Sequence, residues 1–68
     1  MVPIELHHAE TFTEVTFERD AKVQASLKAA IPSARWNPDR RRWMVLGVRA
    51  RKRTEIWLAA FRNAEAGG

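Results

Sequence analysis

Residues 34–46 read ARWNPDRRRWMVL, and this stretch decides how the second half of the chain folds. Its strand-like segments ARW and RRWMVL are separated by NPDR, which has the composition of a turn. Proline presets φ there, and the Asn and Asp side chains can accept hydrogen bonds from nearby backbone N–H groups. The pattern predicts a β-hairpin. Because successive strand residues alternate sides, we expect Trp43 and Val45 to face the interior and Arg42 and Met44 to face the other way.

Another hairpin is predicted at the start of the chain. In the first strand, apolar residues alternate with other residues at Val2, Ile4 and Leu6. The second strand has the same alternation at Val15 and Phe17. A repeat of two residues is typical of half-buried strands. The residues HAET connect the two strands.

Two helices complete the pattern. Asp20 is a predicted N-cap for AKVQASLKAAI, and Pro32 ends that helix. Its apolar stripe comprises Val23, Leu27, Ala30 and Ile31. Gly47 ends the last strand, and a second helix is expected from about Arg49 to Ala64. The stripe of this helix, with Arg53 at its edge, comprises Ile56, Trp57, Ala60, Phe61 and Ala64.

The resulting order is strand, strand, helix, strand, strand, helix. It predicts a small α+β domain of ββαββα order, with antiparallel hairpins and two helices packed on one face of the sheet. A chain of 68 residues is long enough for one domain, which we assign to residues 1–64, and residues 65–68 are expected to fray. In so small a protein, large rings usually fill the core, so Trp36, Trp43 and Trp57 are all expected to be mainly buried.

Charge is divided unevenly along the chain. Residues 1–20 carry five acidic side chains and one arginine, a net of −4, whereas residues 35–53 carry eight basic side chains and one aspartate, a net of +7. The second half is where an acidic partner is expected to bind.

Composition also predicts the cellular compartment of the protein. The chain has no cysteine and no long apolar segment, so we expect a cytoplasmic protein that does not enter a membrane.

The run from Ile31 to Val45 resembles the signature of the HARP domain of annealing helicases, which also occurs in small domains attached to bacterial and phage helicases. The matching positions are Pro32, Ala34, Arg35, Trp36, Asn37, Pro38, Asp39, Arg42 and Trp43. The resemblance implies a module that recognises DNA structure, such as forks or single-strand junctions. The chain departs from the family pattern in two places: Ser33 stands where many such motifs have glycine, and Leu46-Gly47 replaces a frequent Val-Pro. We expect no helicase motor in these 68 residues, so the fork-remodelling activity of the family is not expected of this chain alone.

The basic residues are the candidate nucleic-acid contacts. Cations at a helix N-terminus oppose the positive end of the helix dipole, and a bound phosphate reverses that unfavourable interaction. The predicted set, expected to form one common patch, comprises Arg35, Arg40, Arg41, Arg42, Arg49, Arg51, Lys52 and Arg53. A solvated face is the alternative interpretation of these charges.

Catalytic, cofactor and metal sites are not predicted. His7 and His8 are adjacent and point to opposite faces of a strand, so they cannot chelate one metal in the usual way. Glu5, Glu14 and Glu18 have no matching nucleophile or phosphate loop and are expected to be solvated.

We therefore expect a non-catalytic module that binds the DNA backbone or a DNA structure, with RNA left open, and that works beside a helicase, nuclease or recombinase. The alternative is a phage or mobile-element protein-interaction factor that binds a host or self-encoded partner. That factor would use the acidic first hairpin or an outward-facing set of Phe12, Met44 and Leu58. A homodimer is compatible with so small a core.

Overall fold

The two predicted hairpins form and pair with each other in a single sheet. The computed structural model describes residues 3–67, so Val2 lies outside the described residues. The elements are β1 (Ile4–His8), β2 (Phe12–Phe17), α1 (Ala21–Ala30), β3 (Arg35–Asn37), β4 (Arg42–Leu46) and α2 (Ala50–Gly67). All neighbouring strands are antiparallel, in the order β1-β2-β4-β3. The predicted α+β class and ββαββα order are confirmed.

Strand register determines which side chains reach the core. Val15 lies opposite both Leu6 and Trp43, and Thr13 lies opposite Val45. These residues share the face that the helices cover, called here the inner face, where Val15 and Val45 are fully buried. Arg42 and Met44 lie on the outer face, as the alternation in β4 predicts.

The first helix begins and ends where its capping residues indicate. The Asp20 carboxylate accepts hydrogen bonds from the backbone N–H of Lys22 (2.9 Å) and Val23 (3.2 Å), so it satisfies two donors of the first turn. Val23 and Leu27 are completely buried against the sheet, whereas Ala30, predicted to share their stripe, is exposed.

The second helix begins at Ala50 and runs to Gly67, three residues beyond the predicted end at Ala64. The buried side chains are Ala50, Thr54 and Trp57, whereas Ile56 is 59% exposed. The predicted stripe is therefore wrong by a rotation of the helix. Thr54 can face the core because its hydroxyl donates within the helix, to the carbonyl oxygens of Ala50 (2.8 Å) and Arg51 (3.0 Å).

Turn geometry follows the predicted chemistry. The Asn37 side-chain oxygen accepts hydrogen bonds from the backbone N–H of Asp39 (3.1 Å) and Arg40 (3.3 Å). Arg41 then closes the hairpin with φ of +54°, a left-handed conformation that arginine rarely adopts. Gly47, with φ of +111°, turns the chain from β4 into α2.

Within the described residues, no helix is both long enough and apolar enough to cross a membrane.

Candidate nucleic-acid interface

The predicted common patch of arginines does not form. Arg40, Arg41 and Arg42 lie where β4 begins, whereas Arg49 and the first turn of α2 follow the end of that strand. A five-residue strand separates the two groups by about 16 Å. Arg42 also lies on the outer face of the sheet, whereas α2 packs on the inner face. Two separate basic regions therefore replace the single one that the sequence predicted.

Two of the hairpin arginines are held by a carboxylate. Glu14, expected to be solvated, is only 4% exposed. Arg40 donates to both of its oxygens, through Nε to Oε2 and through Nη2 to Oε1 at 3.0 Å, and Arg42 Nη1 donates to Oε1 at 3.0 Å. The hydrogen bond from Arg40 lowers the pKa of Glu14, desolvation opposes that change, and Arg42 lowers the pKa further. Glu14 in turn raises the pKa of Arg40. Arg40 and Arg42 are therefore paired side chains rather than open phosphate contacts.

The cations of α2 are more accessible. Arg51 Nε lies 3.6 Å from Glu55 Oε1, one turn further along the same helix. Arg49, Lys52 and Arg53 are exposed and form no ion pair with any carboxylate in the part of the chain that the structure describes.

Arg35 is exposed on the outer face of β3, opposite Met44. It lines a pocket with Trp36, Asn37 and Pro38 and lies on the same face as Arg42, diagonally across the β3–β4 pair.

A cleft on the inner face brings aromatic and basic side chains together. It lies between the β3–β4 hairpin and α1 and has a volume of about 610 Å³. We call it the tryptophan cleft, and it is lined by Phe17, Arg19, Gln24, Trp36, Arg41 and Trp43.

Trp36 is the most accessible ring of this cleft. It is 50% exposed, whereas Trp43 is 8% exposed, and their ring centroids lie 5.8 Å apart at an interplanar angle of 60°. Burial was correctly expected for Trp43 and for Trp57, but the expectation was wrong for Trp36. The reason is that β3 is an edge strand of three residues that contacts β4 and neither helix. About half of the Trp36 surface is therefore left to solvent.

Cations surround the two rings. Arg19 and Arg41 line the cleft, and neither is ion-paired to a carboxylate among residues 3–67. Lys28 Nζ lies 5.8 Å from the centroid of the Trp43 ring and donates to the carbonyl oxygen of Ala34 at 3.3 Å. The cleft therefore combines a half-exposed aromatic side chain with positive charge that forms no ion pair within residues 3–67.

Sequence reasoning missed Phe17, Arg19, Gln24 and Lys28 as members of a site. Arg19 lies in the acidic half of the chain, and nothing in its local sequence links it to the tryptophans. The antiparallel pairing of β2 with β4 brings the end of β2 to the β3–β4 turn, and of the predicted contacts Arg41 alone lines this cleft.

The histidines lie on opposite faces, as predicted. His8 contacts Thr13 Oγ1 through Nδ1 at 2.9 Å and Glu55 Oε1 through Nε2 at 3.2 Å, so it ties β1 and β2 to α2. His7 lies on the outer face, 3.5 Å from Glu5. No group of three metal-ligating side chains of the His, Cys, Asp or Glu type gathers anywhere in residues 3–67.

The outward apolar set expected for a protein-interaction factor is divided between the outer face of the sheet and the core. Leu58 packs against the core, and Phe12 and Met44 are each half-buried on the outer face.

Comparison of the chain with protein-family models, with curated proteins and with solved structures found no match.

Proposed function

We propose that this chain is a non-catalytic nucleic-acid-binding module that recognises the backbone and an exposed base, as at a fork or single-strand junction. The half-exposed side chain of Trp36, in a cleft that Arg19 and Arg41 also line without an ion pair among residues 3–67, is the observation that carries the proposal. Such an arrangement suits single strands, since every base has a face that can stack and every nucleotide carries a phosphate.

The dimensions of the cleft are compatible with this role. Its volume of about 610 Å³ falls within the range of small-ligand sites, roughly 300–1,000 Å³. A base stacked on Trp36 would contribute about 1–3 kcal/mol, and Arg19 and Arg41 would contact the flanking phosphates.

Backbone strain at Arg41 supports the same assignment. A residue other than glycine or asparagine in the left-handed region costs on the order of 1 kcal/mol, so asparagine would suit this turn better. An arginine here lines the cleft, which accounts for its presence in terms of binding.

The resemblance to the HARP domain points in the same direction, because Arg35, Trp36 and Trp43 are among the motif positions. Under this proposal, Arg49, Lys52 and Arg53 make secondary backbone contacts. A helicase, nuclease or recombinase acting beside this chain, in a phage or mobile-element setting, belongs to the same proposal.

Fluorescence anisotropy tests the proposal with labelled single-stranded, forked and duplex DNA and a single-stranded RNA at two salt concentrations. We expect Trp36→Ala to weaken single-strand binding about 5- to 150-fold, the change that loss of one stacked base produces. Arg41→Asn should also weaken it, and the logarithmic salt slope should fall by about 0.7 for each lost phosphate contact.

Arg49→Ala is the matched control, because Arg49 is also exposed and unpaired but lies at the far end of β4. It should weaken binding less than Arg41→Asn. No salt-sensitive binding at micromolar protein, or wild-type affinity in Trp36→Ala, would overturn the proposal.

A further inference from the structure

A second pocket lies on the opposite side of β3 from the tryptophan cleft. It is on the outer face of the sheet, where Arg35 and Met44 lie opposite each other, and has a volume of about 210 Å³. We call it the outer pocket, and it is lined by Arg35, Trp36, Asn37, Pro38, Met44 and Leu46. None of these six side chains is acidic, so the outer pocket combines apolar surface with one cation and one amide.

The lining of the outer pocket suits a planar ring. Met44 is half-buried and Leu46 is 65% exposed, so both leave apolar surface at the pocket. The Asn37 side chain is held by the fold, because its oxygen accepts two backbone hydrogen bonds of the turn and its nitrogen donates to Met44 Sδ at 3.3 Å. A cavity of about 150 Å³ is enough to hold benzene. The outer pocket therefore has room for one six-membered ring.

The charges around the outer pocket favour an anion. Arg35 is exposed and forms no ion pair with a carboxylate among residues 3–67. Glu14, on the same face, is bound by both Arg40 and Arg42, and Asp39 lies in the adjoining turn without lining the pocket. Three guanidinium groups against two carboxylates leave a net of +1, which attracts a phosphate.

The outer pocket and the tryptophan cleft are continuous around the edge of the sheet, because Trp36 lines both of them. Arg35 and Trp36 are neighbours in β3, with Cα atoms about 3.8 Å apart, and their side chains point to opposite faces. β3 is an edge strand that contacts β4 and no other element of residues 3–67. A polymer can therefore pass around its free edge, where unpaired backbone N–H groups can donate to a phosphate.

We infer that the outer pocket binds a second base of the same nucleic-acid strand, next to the base that stacks on Trp36, and that Arg35 contacts the phosphate between them. This inference rests on the proposed function, because the base on Trp36 brings the strand to β3. The site then takes two successive nucleotides, one on each side of the edge strand. Neighbouring bases of a duplex stay stacked about 3.4 Å apart, so only a single strand can separate them in this way.

Fluorescence anisotropy with a labelled single strand tests the outer pocket, with circular dichroism to verify folding. Leu46→Glu puts a carboxylate into the pocket and should raise the dissociation constant at least about fivefold, the lower bound for loss of one base contact. The matched control is Ile56→Glu, which makes the same charge change at a residue that is 59% exposed and lines neither the outer pocket nor the tryptophan cleft. It should weaken binding less than Leu46→Glu does.

The phosphate contact and the second base can be measured separately. Arg35→Ala should lower the logarithmic salt slope by about 0.7, the change for one phosphate of a single strand. An unlabelled thymidine dinucleotide should compete with the labelled strand at least about fivefold better than a dinucleotide in which either base is replaced by an abasic sugar. Leu46→Glu should remove the advantage that one of the two bases gives, and Trp36→Ala the advantage that the other gives.

The outcomes distinguish this inference from the proposed function. Equal binding by Leu46→Glu and Ile56→Glu, or an abasic dinucleotide that competes as well as the intact one, would overturn the second base site. The proposed function would then stand if Trp36→Ala still weakens single-strand binding. An unchanged salt slope in Arg35→Ala would overturn the assigned phosphate contact, and a wild type that binds no single strand would overturn both the inference and the proposed function.

Discussion

At the scale of single residues, Glu14 shows how a buried carboxylate organises an open sheet face. It lies on the outer face, where neither helix covers it, yet Arg40 and Arg42 enclose it so that only 4% of it remains exposed. Removing one partner of such a cluster leaves the other charges without their compensation. The guanidinium groups then lose the anchor that orients them.

This pairing makes stability depend on pH. The folded-state pKa of Glu14 lies below its ordinary value of 4.5, so the stabilisation is present above that pH and is lost as pH falls through the folded pKa. We expect Glu14→Gln to lower the urea midpoint at neutral pH and to flatten the acid limb of the stability curve below about pH 4.5.

Glu18→Gln is the control for this experiment, since Glu18 is exposed and forms no ion pair with residues 3–67. If the stability of Glu14→Gln fell with decreasing pH as steeply as that of the wild type, the assignment of this pH dependence to Glu14 would be contradicted.

At the scale of elements, the β3–β4 hairpin combines a well-formed turn with one strained residue. Asn37 accepts two backbone hydrogen bonds and thereby stabilises the turn, whereas Arg41 adopts φ of +54°. Strain of this kind is often retained at functional sites, where the side chain is needed in that place.

Arg41→Asn should therefore separate stability from binding. Asparagine tolerates the left-handed conformation, so the free energy of unfolding should stay the same or rise by up to about 1 kcal/mol while nucleic-acid affinity falls. Urea denaturation measures the first quantity and anisotropy the second. A clear loss of stability would show that the Arg41 side chain contributes to the fold.

At the scale of the whole molecule, the three tryptophans have unequal roles. Trp43 is buried in the core and borders the tryptophan cleft. Trp57 donates a hydrogen bond from Nε1 to Ser26 Oγ at 3.0 Å, which links the two helices. Trp36 extends the aromatic pair beyond the area that the helices cover. A small domain has little stability to spare, so only the exposed ring can be removed without unfolding it.

Alanine substitutions should reveal this difference. We expect Trp43→Ala to cost about 3–5 kcal/mol, enough to unfold much of the population at 25 °C, and Trp36→Ala to leave a cooperative thermal transition. Circular dichroism melts distinguish the two. Comparable losses would show that Trp36 is as much a part of the core as Trp43.

The sequence by itself determined the features that depend on near neighbours: the Asp20 cap, the Asn37 turn, the inward face of β4 and the order of the elements. Such features arise from contacts a few residues apart and from the alternation of strand residues. The α2 stripe was predicted in the wrong rotation, because the internal hydrogen bonds of Thr54 allow a polar residue to face the sheet.

Only the tertiary structure decided where the candidate site lies. The strand order β1-β2-β4-β3 makes β3 an edge and leaves Trp36 half-exposed, and the same sheet brings Glu14 to Arg40 across 26 positions of the chain. It also places the two arginine groups at opposite ends of β4. These features arise because strands distant in sequence pair with one another, and that pairing depends on the packing of the whole core rather than on any local pattern.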